Sequence, residues 1–234
     1  DPVRLAKRVA EIAGCSRREA DQYIQGGWVT VDGEVIDAPQ HPVTTQVVQI
    51  DPEADLEQAE PATLLLHKPA GVAFESAAKL ATPASHTEGD DPGMRVLKRH
   101  FVRLTPLMPL DEEASGLMVL SQDGRVWRRL SEDADQIEQE FIVEVQGELA
   151  PYGLPRLCDG MLYQGRALPR AKVSWQNEDN LRFAIKAVRP GQLRHMCAQV
   201  GLEVLSIRRL RIGRIALSKM PVGEWRYLPV GEKF

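Results

Sequence analysis

The sequence lacks the features of a membrane or secreted protein. No apolar run approaches the ~18 residues of a membrane-spanning helix. The N-terminus, DPVRLAKRV, has no apolar signal-peptide core, and because it also lacks a starting Met we expect it to be trimmed. The three cysteines, Cys15, Cys158 and Cys197, are odd in number and far apart, which argues against a disulfide framework. We therefore expect core-filling cysteines in a cytoplasmic protein that does not associate with membranes.

Motifs for metal and nucleotide binding are also missing. The five histidines include no HExxH-type pair, and the cysteines have no zinc-ligand spacing. There is no GxxxxGK[S/T] or GxGxxG loop, and no GxSxG elbow around a nucleophilic serine. The sequence therefore predicts no metal, no nucleotide and no other cofactor.

Charge is distributed unevenly along the chain. The net charge of −4 argues against a uniformly basic nucleic-acid binder, and aromatic residues make up only 6% of the chain. Residues 51–62 contain five acids and no base, whereas residues 186–219 contain eight bases and one acid. An acidic protein thus carries one locally basic segment.

The first fifty residues read as a small module. Leu5, Val9 and Ile12 recur at helical spacing up to Gly14, and SRRE at residues 16–19 fits a capping box that starts a second helix. WVTVDGEVI then has two β-prone runs around Asp-Gly, a strong hairpin signal, and VVQI is a further strand. We expect the domains to be 1–50 and 63–234, joined by an acidic linker at 51–62.

The second domain is predicted to contain more strands than helices. Residues 75–93 read as a long loop, residues 95–101 as a short helix and residues 191–200 as a helix with one apolar stripe. Strands are predicted to begin near residue 64 and at residues 117–120, 141–145, 172–175, 182–188 and 207–217, the last interrupted at Gly213. Because strands and helices do not alternate, we expect an α+β fold with a mainly antiparallel mixed sheet, flanked by helices and loops.

The stretch MPLDEEASGLMVLSQDG, residues 108–124, holds the most interesting carboxylates. Asp111 stands on a tight loop that enters an apolar strand, and Glu112 and Glu113 follow it. Three interpretations are open: an exposed acidic turn, a paired-carboxylate site of the glycosidase type, or one catalytic aspartate. Ser115-Gly116 alone is a weak signal for a nucleophile.

Arginines in two predicted helices are candidate anion contacts. Gln192 and Arg194 lie off the apolar stripe of their helix, so Arg194 is expected to face a cleft and to keep a nearby Asp111 ionised. Arg17 and Arg18 lie in the first turn of the capped helix and could face RNA phosphate. In each case a solvated surface arginine remains the alternative.

These pieces together resemble a known family. Residues 4–36 resemble the S-four RNA-binding module, named for a ribosomal protein. The remainder is similar to bacterial rRNA pseudouridine synthases of the RsuA, RluB, RluE and RluF family. The matching segments are LLLHKPAGV, LDEEASGLMVLSQDG, IEQEFIVEV, PGQLRHMCAQVGLEVLSIRRLRIGRIAL and LSKMPVGEWRYL, in the family's order.

The resemblance implies roles for individual residues. Asp111 matches the catalytic aspartate, Arg194 the arginine that pairs with it, and Phe141 the aromatic that stacks on the target base. Leu193 matches an apolar pocket residue, and Gln192, which precedes it, is also expected to face the pocket. Residues expected to contact RNA are Arg4, Lys7, Ser16, Arg17, Arg18, Lys68, Arg208, Arg209 and Arg211. The implied function is isomerisation of a uridine in a structured stem-loop of rRNA, expected to be that of the large subunit, by a monomer without cofactor.

Three departures from the family pattern stand out. Met108-Pro109 replaces a Gly-Arg that helps to hold RNA, Gln139-Glu140-Phe141 replaces Lys-x-Tyr, and Arg189-Pro190-Gly191 is less basic than the usual lead into the helix. They keep two alternatives open. One is a catalytically weakened RNA-binding factor of ribosome assembly, and the other is a hydrolase that uses Asp111 with Glu112 or Glu113.

Overall fold

The computed structural model describes residues 1–56, 60–91 and 95–234, which divide into two compact units. The first comprises residues 1–56, 60–61 and 95–103, and the second comprises residues 62–91 and 104–234. Residues 95–103 thus belong to the first unit, although the predicted boundaries assign them to the second domain; those boundaries stay a prediction. Parts of the predicted linker (57–59) and of the predicted loop (92–93) lie outside the described residues.

The described residues of the first unit form two α-helices and five short strands. They are β1 (Val3–Arg4), α1 (Leu5–Ala13), α2 (Arg17–Gln25), β2 (Val29–Val31), β3 (Glu34–Val35), β4 (Pro42–Val43) and β5 (Val48–Ile50). β1 pairs with β4, and β2 lies between β3 and β5 in an antiparallel sheet. The unit therefore has the predicted order of helix, capped helix, hairpin and strand.

Local sequence signals explain how these elements begin and end. α1 ends at Gly14, which has the left-handed backbone (φ 61°) that glycine adopts without strain. The Ser16 hydroxyl oxygen accepts from the Glu19 backbone N–H at 3.2 Å and caps α2. Glu19 reaches back to the Ser16 hydroxyl instead of its backbone N–H. The prediction that Ile12 belongs to the apolar face is wrong, because its side chain is 51% exposed.

The predicted hairpin is confirmed. Asp32 and Gly33 form its two-residue turn, with φ of 49° and 83°. Positive φ at both positions gives a turn whose twist matches that of the flanking strands. β2 then buries Val29 and Val31 against the helices.

The second unit is built on a large sheet. Its strands are β6 (Thr63–Lys68), β7 (Thr105–Leu107), β8 (Ser115–Ser121), β9 (Gln139–Gly147), β10 (Leu162–Tyr163), β11 (Arg166–Ala167), β12 (Lys172–Trp175), β13 (Asn180–Ile185), β14 (Leu202–Ile212), β15 (Ile215–Ala216) and β16 (Trp225–Tyr227). Its α-helices are α3 (Gly124–Glu132), α4 (Gly153–Cys158) and α5 (Gln192–Gln199). In the part of the chain that the structure describes, no helix is both long and apolar enough to cross a membrane.

The strand order of the large sheet is β12-β13-β9-β14-β8-β6-β16, with β7 added to β8 and β15 to β14. Every pairing among these described strands is antiparallel except that of β14 with β8. The predicted α+β class and mainly antiparallel mixed sheet are confirmed. β10 and β11 form a separate hairpin.

Gly116 permits the parallel contact between β8 and β14. It has φ of 113°, and a Cβ at this position would lie 2.3 Å from the backbone oxygen of Arg209. Only glycine allows the two backbones to approach this closely. Ser115-Gly116 therefore shapes the entry into β8, directly after the Asp111 loop.

Three predictions of secondary structure need correction. The predicted loop at 75–93 contains 3-10 helices at Phe74–Leu80 and Pro83–Ser85, and the predicted helix at 95–101 is a 3-10 turn at Lys98–Phe101. The interrupted strand at 207–217 is a hairpin, in which β14 and β15 pair antiparallel. Gly213, with φ of 56°, reverses the chain there.

Candidate functional site

One cleft in the second unit brings together three residues that the sequence singled out. Asp111 comes from the loop before β8, Phe141 from β9 and Leu193 from α5. The other residues that line the cleft are Pro109, Leu110, Ala114, Gln139, Val188, Arg189, Pro190 and Ile207. Most of this lining is apolar, which is typical of a site that shields a few polar groups from water.

The sheet and α5 determine how these side chains reach the cleft. Phe141 is 3% exposed and follows the alternation of β9, on which residues 139, 141, 143 and 145 point inward. Leu193 belongs to the predicted stripe of α5, which is confirmed because Leu193, Met196, Cys197 and Val200 are all buried. A turn hydrogen bond of 2.9 Å from Ala114 N to Asp111 O closes the aspartate loop.

The N-terminus of α5 supplies the hydrogen bond to Asp111. Gly191, the N-cap residue, donates its backbone N–H to Asp111 Oδ2 at 3.1 Å. Free N–H groups and the helix dipole make a helix N-terminus favourable for a negative charge. The Asp111 carboxylate is thus oriented by backbone.

Arg194 does not form the expected ion pair with Asp111. Its Nη1 donates to Val204 O at 3.2 Å, and the described residues contain no salt bridge between Arg194 and Asp111. Consecutive residues of an α-helix point about 100° apart. Since Leu193 faces the cleft, Arg194 turns towards the neighbouring strand β14.

Gln192 is fully buried and does not line the cleft. Its Oε1 accepts from Arg189 N at 3.0 Å and from Arg166 Nη2 at 3.4 Å. Its Nε2 lies 3.7 Å from the sulfur of Met196. Gln192 therefore fixes the start of α5 and an arginine beside it, and the expectation that it faces the cleft is wrong.

Lys68 was expected to contact RNA, but it is fully buried. Its Nζ donates to three backbone carbonyls, those of Val72 (2.6 Å), Pro69 (2.8 Å) and Glu112 (3.1 Å). Burial lowers the pKa of this ammonium. Lys68 holds the chain directly after Asp111, and its burial excludes direct contact with RNA.

Arg209 is also fully buried, so the expectation that it contacts RNA is wrong. Its Nη2 donates to Met108 O at 2.9 Å, Nη1 to Pro109 O at 3.4 Å, and Nε to Leu117 O at 2.8 Å. Burial lowers the pKa of the guanidinium to about 9. Arg209 and Lys68 thus hold the chain on the two sides of Asp111.

The backbone is strained at two positions next to the cleft. Met108 and Ala187 have φ of 59° and 56°, a left-handed conformation that is uncommon for residues with side chains. Arg209 holds the carbonyl of Met108, and Arg166 donates to that of Ala187 at 3.1 Å. Such strain persists where surrounding contacts fix the chain, and it is frequent at functional sites.

The two remaining predicted RNA contacts of the second unit, Arg208 and Arg211, differ in exposure and in ion pairing. Arg208 is exposed. Arg211 is tied to Glu138 at 2.7 Å and to Glu140 at 2.8 Å, and its hydrogen bond holds the pKa of Glu140 below the usual value. Arg211 is therefore already paired with two carboxylates, and its contact with RNA stays a prediction.

Glu112 and Glu113 are exposed, and neither lines the cleft. Their placement fits solvated turn residues beside a single carboxylate in the cleft. Neither glutamate therefore forms, with Asp111, the pair of carboxylates that flanks a bound sugar in glycosidases.

The first unit presents its predicted cationic residues at the surface. Arg4, Lys7 and Arg17 line one cavity together with small apolar residues. Ser16 and Arg18 are exposed on the adjoining helix start, where Ser16 also caps α2. The structure thus groups three of the five predicted RNA contacts of this unit.

Sequence reasoning missed several site residues. Gln139 and Ile207 line the cleft from β9 and β14, and Arg189 reaches it from the segment before α5. Arg189 also forms a paired contact with Asp135, at 2.7 and 2.8 Å. The sequence did offer one signal for Arg189. It stands just before Pro190-Gly191, and this dipeptide precedes the helix that contacts Asp111.

Known proteins resemble this chain over almost its whole length. Residues 3–48 match the S4 domain. The chain is 28% identical over 228 residues to the dual-specificity RNA pseudouridine synthase RluF of Escherichia coli strain K12, which covers 97% of this chain and 75% of that protein. It is 29% identical over 237 residues to the ribosomal large subunit pseudouridine synthase B of Bacillus subtilis, with 96% and 91% covered.

A solved structure supports the same fold. A crystal structure of a pseudouridylate synthase matches with a TM-score of 0.61 at 21% identity, covering 97% of this chain and 96% of the other. The chain is therefore similar to RNA pseudouridine synthases in sequence and in fold over almost its whole length.

Proposed function

We propose that this chain is an rRNA pseudouridine synthase, an isomerase of the RsuA, RluB, RluE and RluF type that uses Asp111 as its catalytic residue. One observation carries the proposal. Asp111, Phe141 and Leu193 meet in one cleft, with the Asp111 carboxylate fixed by the N-terminus of α5. This occurs in a chain that resembles RNA pseudouridine synthases from end to end.

The target uridine must leave its base stack, because C1′ and C5 are not accessible inside a helix. Unstacking costs a few kcal/mol, which stacking on an aromatic face and contacts to phosphates offset. Phe141 supplies the aromatic face, while Leu193 and Ile207 provide apolar walls. These residues hold the uracil away from water.

Asp111 assists the cleavage of the N1–C1′ bond. It either attacks C1′ or promotes the loss of a C2′ proton to give a glycal. The uracil then rotates and rejoins the ribose through C5, which breaks the Asp111–C1′ bond in the first route or returns the proton to C2′ in the second. C5 then loses its proton, and N1, which carried none in uridine, gains one. Phe141 has no exchangeable proton, so Asp111 or water accepts the proton from C5. The product is an isomer of the substrate, so no electron or phosphoryl donor is consumed.

The protein orients Asp111 through backbone contacts. Gly191 N–H holds the carboxylate, while Lys68 and Arg209 fix the loop on its two sides. A carboxylate held in this way does not have to be reoriented when the substrate arrives, and such preorganisation lowers the barrier of the reaction.

The RNA partner is recognised by both units in this proposal. The first unit contributes the cavity of Arg4, Lys7 and Arg17, whose cations suit the phosphates of a structured stem-loop. Large-subunit rRNA is the proposed substrate, since the relative named for the large ribosomal subunit is 29% identical to this chain and the one named for the small subunit is 26% identical. The protein is proposed to act as a monomer in the cytoplasm.

A catalytically weakened RNA-binding assembly factor is the second candidate. Pro109 favours it, because this uncharged residue lines the cleft where the resemblance implies an arginine. The hydrolase is disfavoured, since Glu112 and Glu113 do not line the cleft.

The experiment uses rRNA labelled with tritium at C5 of uridine, isolated from cells that lack the gene. Pseudouridine formation releases this tritium to water when the protein is added. We expect stoichiometric release together with pseudouridine in the digested RNA. RNA binding without release would support the assembly factor, and free uracil would indicate a hydrolase.

A further inference from the structure

A second cavity adjoins the Asp111 cleft. Its lining comprises Tyr163, Gln164, Arg166, Arg189 and Pro190, and the last two residues also line the cleft. The two spaces therefore share a wall. Two of the five lining residues are arginines, and none is acidic.

The hairpin of β10 and β11 forms the outer wall of this cavity. Gln164 and Gly165 make its turn, with φ of 52° and 77°. The Tyr163 hydroxyl donates to Pro190 O at 2.6 Å, and the ring of His195 lies 5.0 Å from that of Tyr163. His195 Nε2 is also 2.9 Å from Leu162 O. The hairpin is thus fixed to the start of α5, so the cavity is preformed.

Arg166 forms no direct ion pair with a carboxylate among the described residues, although its charge, after that of Arg189, helps to lower the pKa of Asp135. Its Nη2 donates to the neutral oxygens of Ala187 and Gln192, and the described residues give it no salt bridge. Arg189 pairs with Asp135. Two arginines and one aspartate leave the cavity with a surplus of one positive charge.

An arginine held in place by neutral carbonyls, with N–H groups still available, is suited to bind an anion. The described lining of the Asp111 cleft includes one cation, Arg189. An RNA strand that delivers a uridine to Asp111 carries phosphates next to that nucleotide. The adjoining cavity offers them the second cation.

We propose that Arg166, together with Arg189, binds a phosphodiester of the RNA strand next to the target uridine. Gln192 connects this subsite to the reaction centre. Its buried amide holds both Arg166 and the backbone of Arg189, and it begins the helix whose N-cap contacts Asp111. The inference rests on the proposed function, because it assigns the phosphate that accompanies the reacting nucleotide.

The test compares Arg166→Gln and Arg166→Lys with the parent chain, all carrying Asp111→Asn so that RNA is bound without turnover. Arg170→Gln is the matched control, since Arg170 is an exposed arginine that pairs with Asp159 outside the cavity. The probe is large-subunit rRNA from cells that lack the gene. Its Kd is measured by filter binding at several salt concentrations.

We expect Arg166→Gln to weaken binding about tenfold at low salt and to reduce the slope of log Kd against log salt by about one. Arg166→Lys should keep most of the slope, and Arg170→Gln should keep both values. An unchanged slope for Arg166→Gln, with an unchanged melting temperature, would overturn the proposal. A loss of slope in Arg166→Lys equal to that in Arg166→Gln would also overturn it, because charge would then not be the cause.

The failure of this inference can be distinguished from the failure of the proposed function. If the wild-type chain releases no tritium from labelled rRNA, the proposed function fails whatever the salt dependence is. If it releases tritium but the Arg166 variants bind with the parent slope, only the phosphate subsite is wrong.

Discussion

At the scale of single residues, contacts to backbone atoms dominate the candidate active site. Asp111 is oriented by the N–H of Gly191, and its loop is held by carbonyl contacts from Lys68 and Arg209. The expected partner, Arg194, is turned towards Val204. The sequence indicated that a cation would lie near Asp111 and keep it ionised. Spacing alone could not show that Arg209, a buried arginine from β14, would hold the loop instead.

Phe141 is the residue whose aromatic face the mechanism requires. Phe141→Tyr should keep pseudouridine formation, because the ring and its stacking remain. Phe141→Leu should fill most of the space without an aromatic face and so weaken substrate stacking by ~1–3 kcal/mol. The rate at subsaturating rRNA measures this loss.

A buried residue outside the cleft controls for effects on packing. Phe183 pairs with Phe141 across β13 and β9, is fully buried and does not line the cleft. Phe183→Leu should lower the melting temperature to a similar extent while the rate of the folded enzyme persists. Equal loss of rate in both leucine variants would argue against stacking.

Arg209 is predicted to support both stability and catalysis. Arg209→Met leaves the carbonyls of Met108 and Leu117 without their donor, and we expect the free energy of unfolding to fall by roughly 3 kcal/mol. The Asp111 loop should also lose its position, so kcat should fall more than KM changes. Urea unfolding and steady-state kinetics measure the two effects.

The neighbouring exposed arginine provides the control for this variant. Arg208→Met removes the same charge from the same strand without touching the buried carbonyls. It should leave the stability and kcat close to those of wild type, and any loss of the predicted RNA contact of Arg208 should appear in KM. If Arg209→Met behaved like Arg208→Met, the proposed support of the Asp111 loop would be wrong.

At the scale of secondary structure, the sequence was most informative where local chemistry determines the outcome. The Ser16 cap, the Asp32-Gly33 turn and the buried stripe of α5 follow from neighbouring residues and are confirmed. The hairpin of β14 and β15 was missed because a glycine in an apolar run fits an interrupted strand as well as a turn. The pairing that decides between them is not local.

The cap of α2 gives a prediction at this scale. Ser16→Ala removes the oxygen that accepts from Glu19 N–H, which should cost about 1 kcal/mol of local helix stability. Amide hydrogen exchange of α2 should then be about fivefold faster. Ser16→Asp retains a capping oxygen and should keep the protection. Equal protection in all three chains would show that the cap contributes nothing.

At the scale of the whole molecule, the fold class and the cleft residues were predicted by the ordered set of motifs and not by any single motif. The α+β class and the mainly antiparallel sheet are confirmed, and three candidate residues from distant segments meet in one cleft. Burial could not be predicted in the same way. In SIRRLRIG, residues 206–213, the alternation of the strand places Arg209 inside and Arg208 outside, and only the pairing of β14 decides which arginine faces the core.

The central claim is that Asp111 makes pseudouridine in rRNA. The most direct measurement is pseudouridine mapping of rRNA from cells that lack the gene and carry wild type, Asp111→Asn or Glu113→Gln. At least one pseudouridine should disappear with the gene and return with wild type and Glu113→Gln, but not with Asp111→Asn. Restoration of that site by Asp111→Asn, or an unchanged map after loss of the gene, would contradict the account.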